Sequence, residues 1–220
     1  MKTALLALLM AAVLTGCSSY GPPKGEKWAQ LALGNRPGGA RRELSDPSPT
    51  TRRWAILRLA HAGDLSATEL IAALLDQAKE PTAIVRATAA VGLRVLADER
   101  ALPALMTALN DPEPLVRADV TETIGCLGNA SQATELARVL HTDRDQRVRL
   151  QAVIALRRTA GELAVPPLIV ALDDADESVA FAAHQGLMAM TGQSLPPSRA
   201  RWEKWLKAGA PSPVIKPHGG

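Results

Sequence analysis

A short motif returns along this chain at a nearly constant interval, and that recurrence limits the possible folds more than any other feature. Arg52, Arg86, Arg117, Arg149 and the equivalent Ala180 stand 34, 31, 32 and 31 residues apart. Six places before each mark is an acid: Asp46, Glu80, Asp111, Asp143 or Asp174, followed in three copies by Pro47, Pro81 or Pro112. One place before the mark stand Thr51, Val85, Val116, Val148 and Val179; three after it come Ala55, Ala89, Val120, Ala152 and Ala183. Seven places after it a large aliphatic recurs, Leu59, Leu93, Ile124, Leu156 or Leu187. Apolar residues spaced four apart form one face of an α-helix. A second apolar run precedes each acid, as at residues 101–109 and 165–172, so each copy reads as a helical hairpin. A period of roughly 20 to 50 residues marks a solenoid, because one unit cannot bury its apolar face alone and stacked neighbours make a continuous core.

The copies run approximately over residues 44–63, 65–97, 101–128, 130–160 and 162–192. Gly63, Gly128, Gly161 and Gly192 close four of the five second helices, where a left-handed cap is expected. Paired helices of this length, with Asp-Pro at the turn and Val-Arg, Ala and Leu on the second helix, resemble HEAT repeats. The likeness is strongest to the short kind first noted in phycobilisome lyases, and it covers residues 44–192. It implies an all-α fold, a solenoid of about five HEAT-like hairpins. It also implies an acid–arginine ladder between neighbouring units. That role falls on Asp46 with Arg52, Glu80 with Arg86, Asp111 with Arg117 and Asp143 with Arg149, while Ala180 leaves Asp174 without its own-repeat partner.

The amino-terminal residues read as an export signal. Lys2 precedes an apolar run from Ala4 to Leu14, too short for a bilayer, which takes about 20 residues. Leu14-Thr15-Gly16-Cys17 matches the lipobox of bacterial lipoproteins. That resemblance implies a signal peptide at 1–16, acylation of Cys17, and a membrane anchor of two or three chains rather than a span. Ser18 and Ser19, with no Asp after the Cys, resemble outer-membrane sorting, with the body facing the periplasm. Residues 17–43 then form a tether that Gly21-Pro22-Pro23 and Pro37-Gly38-Gly39 keep from being one helix, with a short helical piece near Trp28. At the other end, residues 193–210 hold a capping helix with Trp202 and Trp205 on one face, read as a seal for the last repeat or as a ligand-binding aromatic pair. Residues 211–220 form a disordered tail.

Composition fits a repeat array: 47% of the chain is hydrophobic and only 3% aromatic, so the core is built of alanine and leucine. A formal net charge of +3 is too small to point to nucleic acid. With Cys17 taken by lipid, Cys126 has no disulfide partner and reads as a small packed hydrophobe.

Motifs for catalysis are lacking. Some HEAT-repeat proteins are di-iron hydroxylases that bind metal through His-Glu pairs, yet here Ala62, Thr142, Gln185 and Gly219 follow the histidines. There is no Cys-x-x-Cys, His-Glu-x-x-His, Gly-x-Ser-x-Gly or phosphate-binding glycine loop. His61, His141 and His184 fall at different phases of the repeat and read as isolated residues. No cofactor or metal is expected. What remains is a recognition surface. In this architecture second helices line the concave face, and positions +2, +5 and +9 from the mark point away from the apolar stripe. These include Trp54, Leu57 and His61, then Asp119 and Glu122, then Gln151 and Arg158, with Arg58 beside Trp54. Trp54 reads equally as a binding hot spot or as packing for an amino-terminal cap. The expected function is therefore a lipid-anchored, non-catalytic scaffold that binds another protein or peptide on its concave face. The alternative is an enzyme or maturation factor of the HEAT-like lyase type.

Overall fold

Every second helix begins where an acid turns back on the chain two residues later. In the computed structural model, which describes residues 37–209, the backbone N–H of Ser48, Thr82, Glu113, Asp145 and Asp176 donates to the side chain of Asp46, Glu80, Asp111, Asp143 and Asp174. This fixes an extended residue just ahead of each long helix. Five hairpins result: α1 (Pro37–Glu43) with α2 (Pro49–His61), α3 (Thr68–Ala73) with α4 (Ala83–Leu96), and α5 (Leu102–Ala108) with α6 (Pro114–Leu127). They continue with α7 (Ala133–Thr142) and α8 (Gln146–Thr159), then α9 (Val165–Val170) and α10 (Glu177–Thr191); α11 (Arg199–Lys207) follows. Among the described residues all regular structure is helical, and no helix is long and apolar enough to cross a membrane.

The first helices are short because 3-10 turns lead into most of them, at Leu65–Ala67, Glu99–Ala101, Ala130–Gln132 and Gly161–Ala164. Asp64, Asp98 and Asn129 cap three of these turns through their side chains. The periodic stripe lies in the core: from repeat two onward its −1, +3 and +7 residues are fully buried. Ile71, Leu105, Leu136 and Leu168 meet it from the first helices.

Adjacent second helices also touch each other directly. Position +6 holds Gly92, Thr123, Ala155 and Gly186 from repeat two onward. A Cβ on Gly92 would lie 2.5 Å from Ile56 Cγ2, and one on Gly125 would lie 2.8 Å from Ala155 Cα. Thr123 Oγ1 donates to the carbonyl of Ala90 at 3.0 Å. Small residues thus set the spacing between units.

The ladder exists, but its pairing is shifted by one repeat from the expected one. Arg52 grips Glu80, Arg86 grips Asp111, Arg117 grips Asp143 and Arg149 grips Asp174, each through Nε and Nη2 at 2.5–2.9 Å. Its own-repeat acid offers each arginine only a backbone carbonyl, as Asp46 does to Arg52 Nη1 at 2.7 Å. The arginine lies one helix turn beyond its own acid, so its long fork reaches along the stacking axis. Asp174 therefore has a partner, and the Asp46 carboxylate, with no arginine arriving from an earlier unit, accepts only from the Ser48 amide among the described residues. Burial pushes the Glu80, Asp143 and Asp174 carboxyls up, but the guanidinium and amide hydrogen bonds outweigh it and hold them below the usual range.

Three details differ from expectation. Pro37-Gly38-Gly39 opens α1 instead of breaking a helix, since proline suits a first helical position. Gly63, Gly161 and Gly192 are left-handed as expected, yet Gly128 is extended, and Ala97 takes the left-handed cap at φ 54°. Cys126 is half-buried rather than packed away. At the far end α11 lies on α9, with Trp202 fully buried, its Nε1 donating to Pro196 O at 3.1 Å and its ring edge-on to His184 and Trp205. The aromatic pair is a seal. The signal peptide, Cys17, most of the tether and the tail lie outside the described residues.

Candidate functional site

The register between second helices follows from three contacts. Arg53 Nε donates to Thr88 Oγ1 at 3.1 Å, Arg94 pairs with Glu122, and Thr123 bonds Ala90 O. Position +8 thus faces the following repeat, while +2, +5 and +6 face the preceding one. Trp54, Leu57, Arg58 and His61 accordingly lie at the opening edge of the array, all half-buried, with Arg58 paired to Glu43. Burial lowers the pKa of His61. Gln151 is half-buried and Arg158 exposed on α8, with Arg158 Nη1 3.7 Å from Cys126 Sγ. These residues share one layer but form no single cluster.

Asp119 and Glu122 do form one, together with Arg94, which the sequence reading did not include. Arg94 engages Glu122 and leaves Asp119 aside. Among the described residues, Asp119 is the one buried or half-buried carboxylate without a hydrogen bond or ion pair. Burial, reinforced by Glu122 and opposed by Arg94, has pushed its carboxyl up to about 6. A carboxyl tuned toward neutrality can exchange a proton with a bound group, which the paired ladder acids cannot do. A sequence signal was present in outline: an arginine at +8 one repeat before an acid at +5.

Clefts lie elsewhere. A cleft of ≈ 460 Å³ between α7, α8, α9 and α11 is lined by His141, Asp143, Arg149, Asp174 and Arg199. Its charges are mostly committed to ladder or surface pairs, so it is a fissure beside the turns. Among the described residues no three His, Cys, Asp or Glu side chains are grouped so as to hold a metal ion.

Stacked hairpins whose second helices form one continuous layer define an α-solenoid. A family model described as HEAT repeats matches residues 40–125 and, overlapping, 71–157. This chain belongs to the HEAT-repeat family. Deoxyhypusine hydroxylase of Arabidopsis thaliana is 33% identical over 88 residues, which is 39% of this chain and 28% of that protein. The chain therefore spans well under a third of that relative. The complex of CpcE and CpcF of phycocyanin lyase from Nostoc sp. PCC7120 superposes with a TM-score of 0.61 at 20% identity, over 78% of this chain and 68% of that one.

These comparisons overturn the expectation that the chain is no enzyme, since the relatives they bring out are a hydroxylase and a lyase complex. The expectation rested on missing motifs. Acid–base chemistry by a desolvated carboxylate requires a place in the fold and carries no motif of its own.

Proposed function

We propose that this chain is an enzyme or enzyme-maturation factor of the lyase type. It holds a protein client across its second-helix face and uses Asp119 to donate and accept a proton at the reacting group. The observation that carries the reading is the Asp119 carboxyl, recessed, unpaired and titrating at about 6 on the face where HEAT arrays take their partners. Glu122, held by Arg94, supports it by opposing ionisation and staying fixed itself. The lyase complex among the structural neighbours, itself an assembly of two proteins, supports a protein client. A hydroxylase reading lacks the His-Glu pairs through which metal would be held.

The reading places the body at the cell envelope, tethered through acylated Cys17. In cells, Cys17→Ser should move the protein from the membrane to the soluble fraction, and unchanged fractionation sinks the anchor. For the chemistry, the client is crosslinked and weighed from cells carrying wild type or Asp119→Asn. Capture by both, with a covalent change in client mass only beside wild type, is the expected result. Identical client masses would remove Asp119 from the reaction.

A further inference from the structure

The second and fourth repeats place an arginine at the same register, and their neighbours answer it differently. Arg94, at +8 of repeat two, reaches Glu122 at +5 of repeat three. Arg157, at +8 of repeat four, lies against Gly186 at +6 of repeat five, and the residue beside it at +5 is Gln185. An amide stands where the earlier junction has a carboxylate.

The seat for Arg157 is nevertheless built. Gly186 lets its stem lie against α10: a Cβ there would fall 2.7 Å from Arg157 Cδ and 3.2 Å from its Nε. Arg157 as a whole is half-buried, and its guanidinium makes no hydrogen bond or ion pair among the described residues. Each other buried or half-buried arginine there is engaged: Arg52, Arg86, Arg117 and Arg149 in the ladder, Arg53 by Thr88, Arg58 by Glu43, Arg94 by Glu122 and Arg199 by Glu203. Burial first, then neighbouring Arg158, lowers its pKa, as for a cation with no anion nearby. A partly desolvated, unpaired guanidinium is unfavourable, and its planar fork matches a carboxylate.

We propose that Arg157, seated on Gly186 beside Gln185, is an anion-binding site that takes a carboxylate of the protein client. Glu122 on Arg94 is the internal image of that ligand, and the Gln185 amide can donate a further hydrogen bond to it. The proposal rests on the reading of the second-helix face as the client surface and adds the client's chemistry: an acidic side chain presented to repeats four and five.

The test uses the full chain and a fluorescent hexaglutamate peptide, read by anisotropy at fixed ionic strength. Arg157→Gln should weaken peptide binding about tenfold, the loss expected for one charge-assisted hydrogen bond. Gln185→Glu should weaken it as much while raising the melting temperature, because it supplies Arg157 with an internal partner. Gln146→Glu, exposed at the start of α8 among the turns, adds the same charge away from Arg157 and should leave binding within about twofold, less than any single hydrogen bond is worth. Equal weakening by both glutamate variants, or wild-type binding by Arg157→Gln, overturns the site. Displacement of the peptide by inorganic phosphate at lower concentration than by succinate overturns the carboxylate assignment. Asp119→Asn should bind the peptide like wild type, so loss of client processing there with the Arg157 results intact sinks the catalytic reading alone. Intact processing with an Arg157-insensitive peptide sinks the anion site alone.

Discussion

The ridge of turns and the second-helix face contain the same charged groups and treat them in opposite ways. Along the ridge every arginine of the ladder closes a fork on a carboxylate and two backbone carbonyls, and the Arg86–Asp111 pair is almost wholly enclosed, with side chains 1% and 2% exposed. Across the face, Asp119 and Arg157 are half withdrawn from water and meet no partner within the array. Desolvated charge is unfavourable in both places. On the ridge it is compensated inside the chain, which makes those residues structural; on the face the chain leaves it uncompensated.

The sharpest test of that contrast is to open the ridge. Arg86→Ala leaves Asp111 buried beside an empty fork and should cost about 3–5 kcal/mol in a urea melt. A cost below about 1 kcal/mol, the range of exposed pairs, would put the ladder on the same footing as surface charge. Next comes the spacing that brings the face together. Gly125→Ala drives a methyl against the Ala155 backbone and should cost about 1–3 kcal/mol, whereas a neutral result in thermal melts would mean the second helices can slide apart.

Asp119→Asn should act in the other direction. The folded chain holds the Asp119 proton more tightly than the unfolded chain does, so stability falls as pH rises from the ordinary aspartate range through about 6. The asparagine variant escapes that loss. It should match wild type near pH 3.5 and exceed it at pH 7.5 by about 1–2 kcal/mol, after allowance for solvent screening. Parallel pH profiles for the two proteins would show Asp119 to be an ordinary surface acid. The smallest effect belongs to Arg199→Ala, which breaks only exposed pairs with Glu203 and Asp173 and should cost less than about 1 kcal/mol in the same melts.

The architecture was legible because a buried stripe must repeat wherever a unit repeats, and from Val85 to Leu187 it does so without a break. The ladder was legible in composition but not in connection. Asp46 and Arg52 are neighbours in sequence, and only the rise between hairpins reveals that the guanidinium passes its own acid to reach Glu80. The site was half legible. Asp119 and Glu122 stood out as an acidic patch, but which of the two stays unpaired depends on Arg94, at a position, +8, that belonged neither to the apolar stripe nor to the outward set. Pro37-Gly38-Gly39 misled for a different reason: glycine weakens an isolated helix by about 1 kcal/mol, but burial of Ala40 and Leu44 against α2 holds α1 together.

Because every ladder guanidinium points forward, the stack has a polarity, and its length is governed where that polarity stops. Ala180 hands nothing onward, and α11 sits across the exit with Trp202 as its bolt. Grafting a sixth hairpin would require two edits together, an arginine at 180 and the removal of α11. Either edit alone leaves a fork without a carboxylate or an end without a lid, a two-key lock on elongation.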